Sequence, residues 1–281
     1  MNSISRQVRL FVFVVLILSC TTLSRAETSR FSIGTGVDYR TGDYGTDDSF
    51  DSFTIPVILN YYPSARFDFE VFIPYLYQSS STTVLAGGDR VISVDRNGRG
   101  RRATSTTTEI VETTEEDVES SESGLGDISL TAGYTFLHQD GMRPNARLYA
   151  YLKIPTADED KGLGTGKFDY GAGLELSAWK DFWYGKIAGG GVFQGEHADW
   201  ELKDYATFEG ELGRQFTNRV YGSLSAWGAT EPSEDSSSLL EIRVNNTLWL
   251  SSQWSAESYL GKGLTSGSAD FSAGIKLYRH F

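Results

Sequence analysis

The sequence has little cysteine, little proline and no long apolar run. A single cysteine excludes a disulfide scaffold, and thirty glycines without a repeat in 281 residues exclude collagen. A helical membrane protein needs an apolar run of about 18 residues or more, and none is present. Basic residues are also scarce, with 25 Lys and Arg against 37 Asp and Glu, so the chain has no electrostatic attraction for nucleic acid.

The N-terminus has the pattern of a secretory signal peptide. A short apolar run from Leu10 to Leu18 follows two arginines and precedes Ser24-Arg25-Ala26, which has small residues at both ends. The pattern predicts a signal peptide at 1–26 and a mature chain at 27–281. Cleavage removes three arginines and no acid, which changes the net charge from −12 to −15.

A lipoprotein signal is the alternative reading of the same segment. Ile17-Leu18-Ser19-Cys20 would place the only cysteine, lipidated, at the new N-terminus. With either signal the chain is exported beyond the inner membrane, and after cleavage at Ala26 it contains no thiol.

Alternation of apolar and polar residues dominates the mature chain. In Phe53–Tyr61 and Phe67–Tyr77 one set of alternate residues is large and apolar, whereas the other contains most of the polar residues. No stretch keeps a helical apolar stripe, so we predict an all-β protein. The predicted strands lie near residues 31–39, 53–61, 67–77, 128–136, 146–154, 168–178, 184–193, 205–216, 220–229, 239–250, 254–264 and 271–281.

The connections between these strands alternate between short and long. Turns such as 63–66 and 180–183 are short, whereas 79–123 is a long, Arg-rich and acidic segment. Bacterial outer-membrane barrels have short periplasmic turns and long extracellular loops. A soluble sandwich would leave edge strands exposed. We therefore predict an antiparallel transmembrane β-barrel of about 12 strands over 27–281, with both termini periplasmic and 79–123 outside.

Aromatic residues lie at the ends of the predicted lipid-facing sets, as in interfacial girdles. The chain ends on Phe281, after an alternating strand. A terminal aromatic of this kind is a signal for the barrel-assembly machinery, although Arg279 occupies a position where an apolar residue is more usual.

Several short motifs resemble one known family. They are Phe72-Ile73-Pro74-Tyr75, Ser123 to Asp127, Leu152 to Thr156 and Gly162 to Tyr170. In this order they are similar to the outer-membrane barrels named for the MetA pathway of phenol degradation. The resemblance implies a transporter-like barrel that takes up aromatic or other small compounds, and it supplies no catalytic residues.

The inward set of alternate residues is rich in charge, which fits a hydrated lumen. We expect these lumen-lining residues to be Asp68, Glu70, Asp127, Arg147, Lys153, Asp169, Glu175, Glu209, Glu211, Arg243, Glu257 and Lys276. Asp38, Arg40 and Glu241 belong to the same set, which then has ten acids and five bases. Salt-bridge ladders that fill a closed barrel are the alternative interpretation.

Other candidate sites are weak. The glycine-rich Gly162–Lys167 precedes a strand rather than a helix, so it is not a phosphate loop. Asp158–Asp160 lacks the glutamate spacing of a Ca²⁺ loop. His197 is the only histidine expected near the outer rim, and no nucleophile motif accompanies it. We expect no enzyme activity, no cofactor and no metal.

The sequence leaves three functions open. The first is an outer-membrane channel in a Gram-negative cell for passive diffusion of small solutes, with aromatic or hydrophobic compounds as candidates. The second is a non-conducting structural or surface-interaction barrel, and the third, less favoured, is a barrel lipase or protease. The expected partners are outer-membrane lipids, lipopolysaccharide, the barrel-assembly machinery and a small-molecule solute, without nucleic acid.

Overall fold

The computed structural model describes residues 30–44, 49–79, 83–85, 91–93, 121–197, 200–234 and 236–281. The predicted signal peptide and most of the long loop 79–123, including its arginines, lie outside these residues. Within the described part of the chain, no helix is long and apolar enough to cross a bilayer.

The described residues form fifteen strands, most of them 10 to 13 residues long. In chain order they are β1 (Phe31–Gly42), β2 (Phe50–Tyr61), β3 (Phe67–Gln78), β4 (Thr83–Leu85), β5 (Val91–Ser93), β6 (Glu122–Leu125), β7 (Ile128–Leu137), β8 (Asn145–Ile154), β9 (Asp169–Lys180), β10 (Trp183–Phe193), β11 (Tyr205–Thr217), β12 (Val220–Ala229), β13 (Leu239–Trp249), β14 (Trp254–Gly263) and β15 (Phe271–His280).

The large sheet closes on itself. Each long strand pairs antiparallel with its sequence neighbour, β1 pairs with β15, and β3 pairs with both β6 and β7. Because β6 and β7 pair with successive halves of β3, they act as one strand interrupted at Gly126-Asp127. The result is a closed antiparallel barrel of twelve strands, which confirms the predicted fold class.

The period-two pattern separates the two faces of the barrel. Apolar side chains on the outer face are exposed, as Leu148 and Leu174 show at 51% and 41%. Exposed aromatic residues cluster at the strand ends, among them Phe67, Phe216 and Trp254. An apolar belt with aromatic borders on a closed barrel is the lipid-facing surface of an outer-membrane protein.

The long connections lie together at one end of the barrel, the end that is extracellular in bacterial outer-membrane barrels. Leu202 of the 194–204 loop forms a bridge with Ser233 of the 230–238 loop, and the Lys203 amide donates to the Pro232 carbonyl at 2.9 Å. In the long loop, Val91–Ser93 pairs with the upstream strand Thr83–Leu85. Short turns connect the strands at the opposite, periplasmic end.

Candidate functional site

The barrel encloses an internal space that extends from the periplasmic mouth towards the extracellular loops. Cavities of about 480, 760 and 540 Å³ lie in its outer, middle and periplasmic parts. Thr131 lines all three, and each charged residue predicted for the lumen lines at least one of them, except Asp169 and Glu241, which are buried in the wall. The three cavities are therefore segments of one lumen.

Two ionic clusters line the lumen between its middle and its periplasmic mouth. Arg147 of β8 contacts the Asp68 carboxylate at 2.9 Å and Glu175 at 3.6 Å. Lys186 of β10 contacts Glu209 at 2.7 Å and Glu211 at 3.4 Å. Arg147 reaches Glu175 on the adjacent strand β9 and Asp68 on β3, two strands away across β7. Lys186 reaches two carboxylates of the adjacent strand β11 that are two residues apart, because inward side chains repeat every second residue.

A third cluster is buried at the outer end. The ammonium group of Lys153 lies 2.7 Å from Asp169 and 3.4 Å from Asp127, and it donates to the Thr165 hydroxyl at 2.7 Å. The side chain of Lys153 is only 1% exposed. This cluster connects β8, β9 and the segment before β7 to the loop that contains Thr165.

That loop, residues 155–168, folds inward over the outer lumen. It contains a single 3-10 turn at Glu159–Lys161, followed by Gly162 in a left-handed conformation with φ 69°. Leu163 is 1% exposed and packs with Phe50 and Leu76. Because Leu163 also lines the outer cavity, the loop narrows the extracellular end of the lumen.

Backbone and side-chain hydrogen bonds fix this loop in position. The side-chain amide of Gln78 donates to the backbone carbonyls of Lys161 and Gly162 at 3.2 and 3.4 Å. The Ala157 amide donates to Asp127 at 3.1 Å. We name residues 155–168 the constriction loop.

On another side of the lumen, charged side chains lie next to aromatic rings. Glu241 lies within 2.6 Å of Arg243 and 3.7 Å of Arg40. The Arg243 guanidinium lies 4.8 Å from the ring centre of Tyr259 and 5.9 Å from that of Trp227. The wall of the lumen is therefore both cationic and aromatic on this side.

Lys276 completes the set of predicted bases, with its ammonium 3.6 Å from Asp38. Among the described residues, Glu70 and Glu257 form no ion pair, although both line the middle cavity. These two carboxylates are therefore the acids of the predicted lumen set that no described base reaches at ion-pair distance.

Sequence reasoning missed two features of the site. Lys186 is a sixth inward base. Because glycine and apolar residues occupy both alternate sets of β10, the sequence did not show which set of side chains faces the lumen. The burial of Leu163 depends on contacts with β2 and β3, which local sequence does not show. A leucine within a glycine-rich loop was the only available signal.

The three histidines lie away from the lumen clusters. His197 contacts Glu159 at 2.7 Å and stacks on Trp200, with ring centres 4.0 Å apart, in the extracellular loops. His280 contacts the Ser255 hydroxyl at 2.9 Å near the periplasmic end, and His138 lies in a periplasmic turn.

The C-terminal residue Phe281 completes the seam between the first and last strands. Its amide donates to the Phe31 carbonyl at 2.9 Å, and the two rings lie 5.9 Å apart.

Known proteins share this architecture. The COG4313 outer membrane channel from Pseudomonas putida F1 aligns with a TM-score of 0.62 at 13% identity, over 92% of this chain and 100% of that chain. The KdgM porin aligns with a TM-score of 0.50 at 9% identity, over 89% and 99%. At such identities the likeness shows the fold. No curated protein sequence matches significantly.

The family model described as "Putative MetA-pathway of phenol degradation" matches residues 64–279. This range runs from the turn before β3 to the penultimate residue of β15 and so includes most of the barrel. The chain belongs to this outer-membrane β-barrel family.

Proposed function

We propose that this protein is an outer-membrane channel through which small solutes diffuse passively. The observation that supports this proposal is the single lumen, whose wall carries charged side chains. A barrel that served only as a scaffold would gain stability from an apolar filling, since buried ion pairs are often no better than apolar packing.

Small aromatic compounds with a polar substituent are the proposed solutes. Tyr149, Tyr151 and Trp227 line the outer cavity beside Arg147 and Arg243. Rings in the wall offer stacking contacts, and the bases offer hydrogen bonds to a hydroxyl or carboxylate group. The cavity of about 480 Å³ lies within the usual range for small-molecule sites. The phenol-degradation description of the family agrees with this solute class.

Conductance through the purified protein in planar bilayers tests the proposal. The wild-type protein should show discrete conductance steps. Leu163→Gly should raise the conductance, because it removes the side chain that packs the constriction loop against Phe50 and Leu76. Lys161→Gly is the matched control, since its side chain is exposed in the same loop.

A non-conducting barrel is the second candidate, and the constriction loop favours it. Thr165 and Leu163 are buried and the Lys153 cluster occupies the same end of the lumen. If neither the wild type nor Leu163→Gly conducts, the channel proposal is wrong and the structural role stands.

We further propose that the protein is not an enzyme and that its partners are outer-membrane lipids, lipopolysaccharide and the barrel-assembly machinery. His197 contacts a carboxylate and an indole ring, and neither of these groups is the nucleophile of a serine lipase or protease. A lipase or protease assay on the folded barrel, with detectable turnover as the contrary result, tests this part.

A further inference from the structure

Two arginines point towards lipid at the periplasmic end of the barrel. Arg214 near the end of β11 belongs to the same alternate set as Leu212 and Phe216, which are 59% and 61% exposed. Arg279 near the end of β15 belongs to the same set as Leu277 and Phe281. A charge on the lipid face is costly at the midplane, but its cost falls to about 0–1 kcal/mol near the interface.

Each arginine lies between one tryptophan and one phenylalanine. The Arg214 guanidinium lies 5.3 Å from the ring centre of Trp183 and 5.7 Å from that of Phe216. In both cases the tryptophan is the direct cross-strand partner of the arginine, and the phenylalanine follows two residues later. The corresponding distances for Arg279 are 5.7 Å to Trp254 and 4.8 Å to Phe281.

The repetition extends one step further into the membrane. Two residues before each arginine lies a leucine whose cross-strand partner is small: Leu212 faces Gly185, and Leu277 faces Ala256. A Cβ atom placed at Gly185 would meet nothing within 4 Å, so the surface there is open to lipid. Each arginine is therefore followed, on its membrane side, by a shallow apolar trough. We name each set of tryptophan, arginine, phenylalanine, leucine and small residue a rim cluster.

The chemistry of a rim cluster matches one kind of molecule. The N–H donors of a guanidinium lie in its plane and fit the oxygens of a phosphate, and ring contacts hold the group in place. Aromatic residues are typical of the headgroup level. A phosphate at the arginine with a hydrocarbon chain in the trough is the arrangement of a phospholipid at the inner leaflet.

The charge distribution of the periplasmic rim supports the same ligand. Basic residues near this rim outnumber acidic ones. Outside the lumen, the basic residues at this rim are Arg30, Arg66, Arg143, Lys180, Arg214, Arg219 and Arg279, and the acidic side chains are Asp140 and Asp181. The extracellular loops have the opposite bias, with Asp158, Glu159 and Asp160 together in one loop. Basic residues near a membrane surface attract anionic lipid, each by about 1 kcal/mol.

We propose that the two rim clusters are binding sites for anionic phospholipid of the inner leaflet, each holding one lipid phosphate at its arginine. The sites do not depend on whether the lumen conducts, and both lie on the outer surface of the barrel. One lipid bound at each rim cluster would fix the depth of the barrel in the membrane.

Native mass spectrometry of the detergent-solubilised barrel titrated with phosphatidylglycerol tests the proposal. The wild type should retain two lipids that bind more tightly than any further lipid. Arg214→Gln should weaken one of these sites about fivefold, the factor that corresponds to about 1 kcal/mol. The double variant with Arg279→Gln should weaken both.

Arg219→Gln is the matched control. It removes a charge from the same rim, and Arg219 is not part of the cation–π pairs observed among the described residues. Equal lipid binding by the wild type and Arg214→Gln would overturn the proposal, as would an equal loss in Arg219→Gln. If Arg279→Gln prevents assembly, Arg214→Gln alone decides the question. Conductance should be the same in all three single variants.

Discussion

Lys153 shows at the scale of one residue how the outer end of the lumen is held. Its ammonium group is shared by two buried carboxylates and one hydroxyl from the constriction loop. Burial of a charge is costly, and removal of one partner leaves the others without compensation. The stability of this end of the barrel therefore depends on a complete cluster.

We expect Lys153→Met to lower the free energy of unfolding by about 3 to 5 kcal/mol, because Asp127 and Asp169 would remain buried without a counter-charge. Urea titration of the folded barrel in detergent micelles measures the loss. The matched control is Lys262→Met, since the Lys262–Asp270 pair is about two-thirds exposed, with side chains at 65% and 62%. The control should change stability by less than about 1 kcal/mol. Similar losses in both variants would show that the Lys153 cluster is not a compact buried unit.

The two carboxylates without an ion pair should set ion selectivity. If the protein conducts, Glu70 and Glu257 raise the local cation concentration in the middle lumen, so the pore should prefer cations. Changing both to Gln should reduce the reversal potential in a KCl gradient, and the preference should weaken as screening shortens to about 3 Å at 1 M salt. Glu234→Gln, in an extracellular loop, should leave it unchanged. Anion selectivity of the wild type, or no effect of the double variant, would contradict this assignment.

At the scale of single strands and loops, alternation fixes which side chains meet lipid. Leu174 of β9 faces outward, whereas Thr131 of β7 lines the lumen. Both lie well inside their strands, so the same substitution meets hydrocarbon at one position and water at the other.

Leu174→Arg should therefore destabilise the barrel by about 2 to 4 kcal/mol, the cost of an arginine near the midplane. Thr131→Arg should be tolerated better. The yield of folded protein after refolding into detergent or lipid compares the two variants. Equal losses would mean that the faces of these strands are assigned wrongly.

The strands were predictable because hydrophobic alternation and turn length are local properties of the sequence. Phe67–Gln78 is a clear case, with aromatic and aliphatic residues on one side and charge on the other. Ion pairing was not predictable. The inward position of Glu209 follows from alternation, but its contact with Lys186 depends on the register between β10 and β11.

The constriction loop shows that the contacts of a loop, like ion pairs, could not be predicted from local sequence. The sequence indicated only that Gly162–Lys167 is a loop, and the burial of this loop arises from its contacts with Gln78 and Leu76 of β3. Residues distant in sequence decide whether a loop projects outward or folds into the lumen.

At the scale of the whole molecule, closure of the barrel satisfies backbone hydrogen bonds that lipid cannot. Every strand in the barrel wall has a partner on both sides, except the short β6, which pairs only with β3 among the described residues. A structure of this kind should resist detergent at room temperature and unfold only on boiling.

We therefore expect heat-modifiable migration: the unboiled protein should run on a gel at a different apparent mass from the boiled protein. The measurement needs only the mature protein refolded in detergent. Identical migration, together with solubility in the absence of detergent, would be incompatible with a membrane barrel.

The seam between β1 and β15 also constrains how the protein is made. Ser32 pairs with His280 and Thr41 pairs with Phe271, so the contacts that close the barrel join its first strand to its last. Such contacts have the largest loop-closure entropy and cannot form until the final strand has been synthesised and exported. A chain that stops before β15 would leave two open edges, at β1 and β14, each a template for pairing with another molecule. Premature termination would then yield an aggregating sheet rather than a smaller pore.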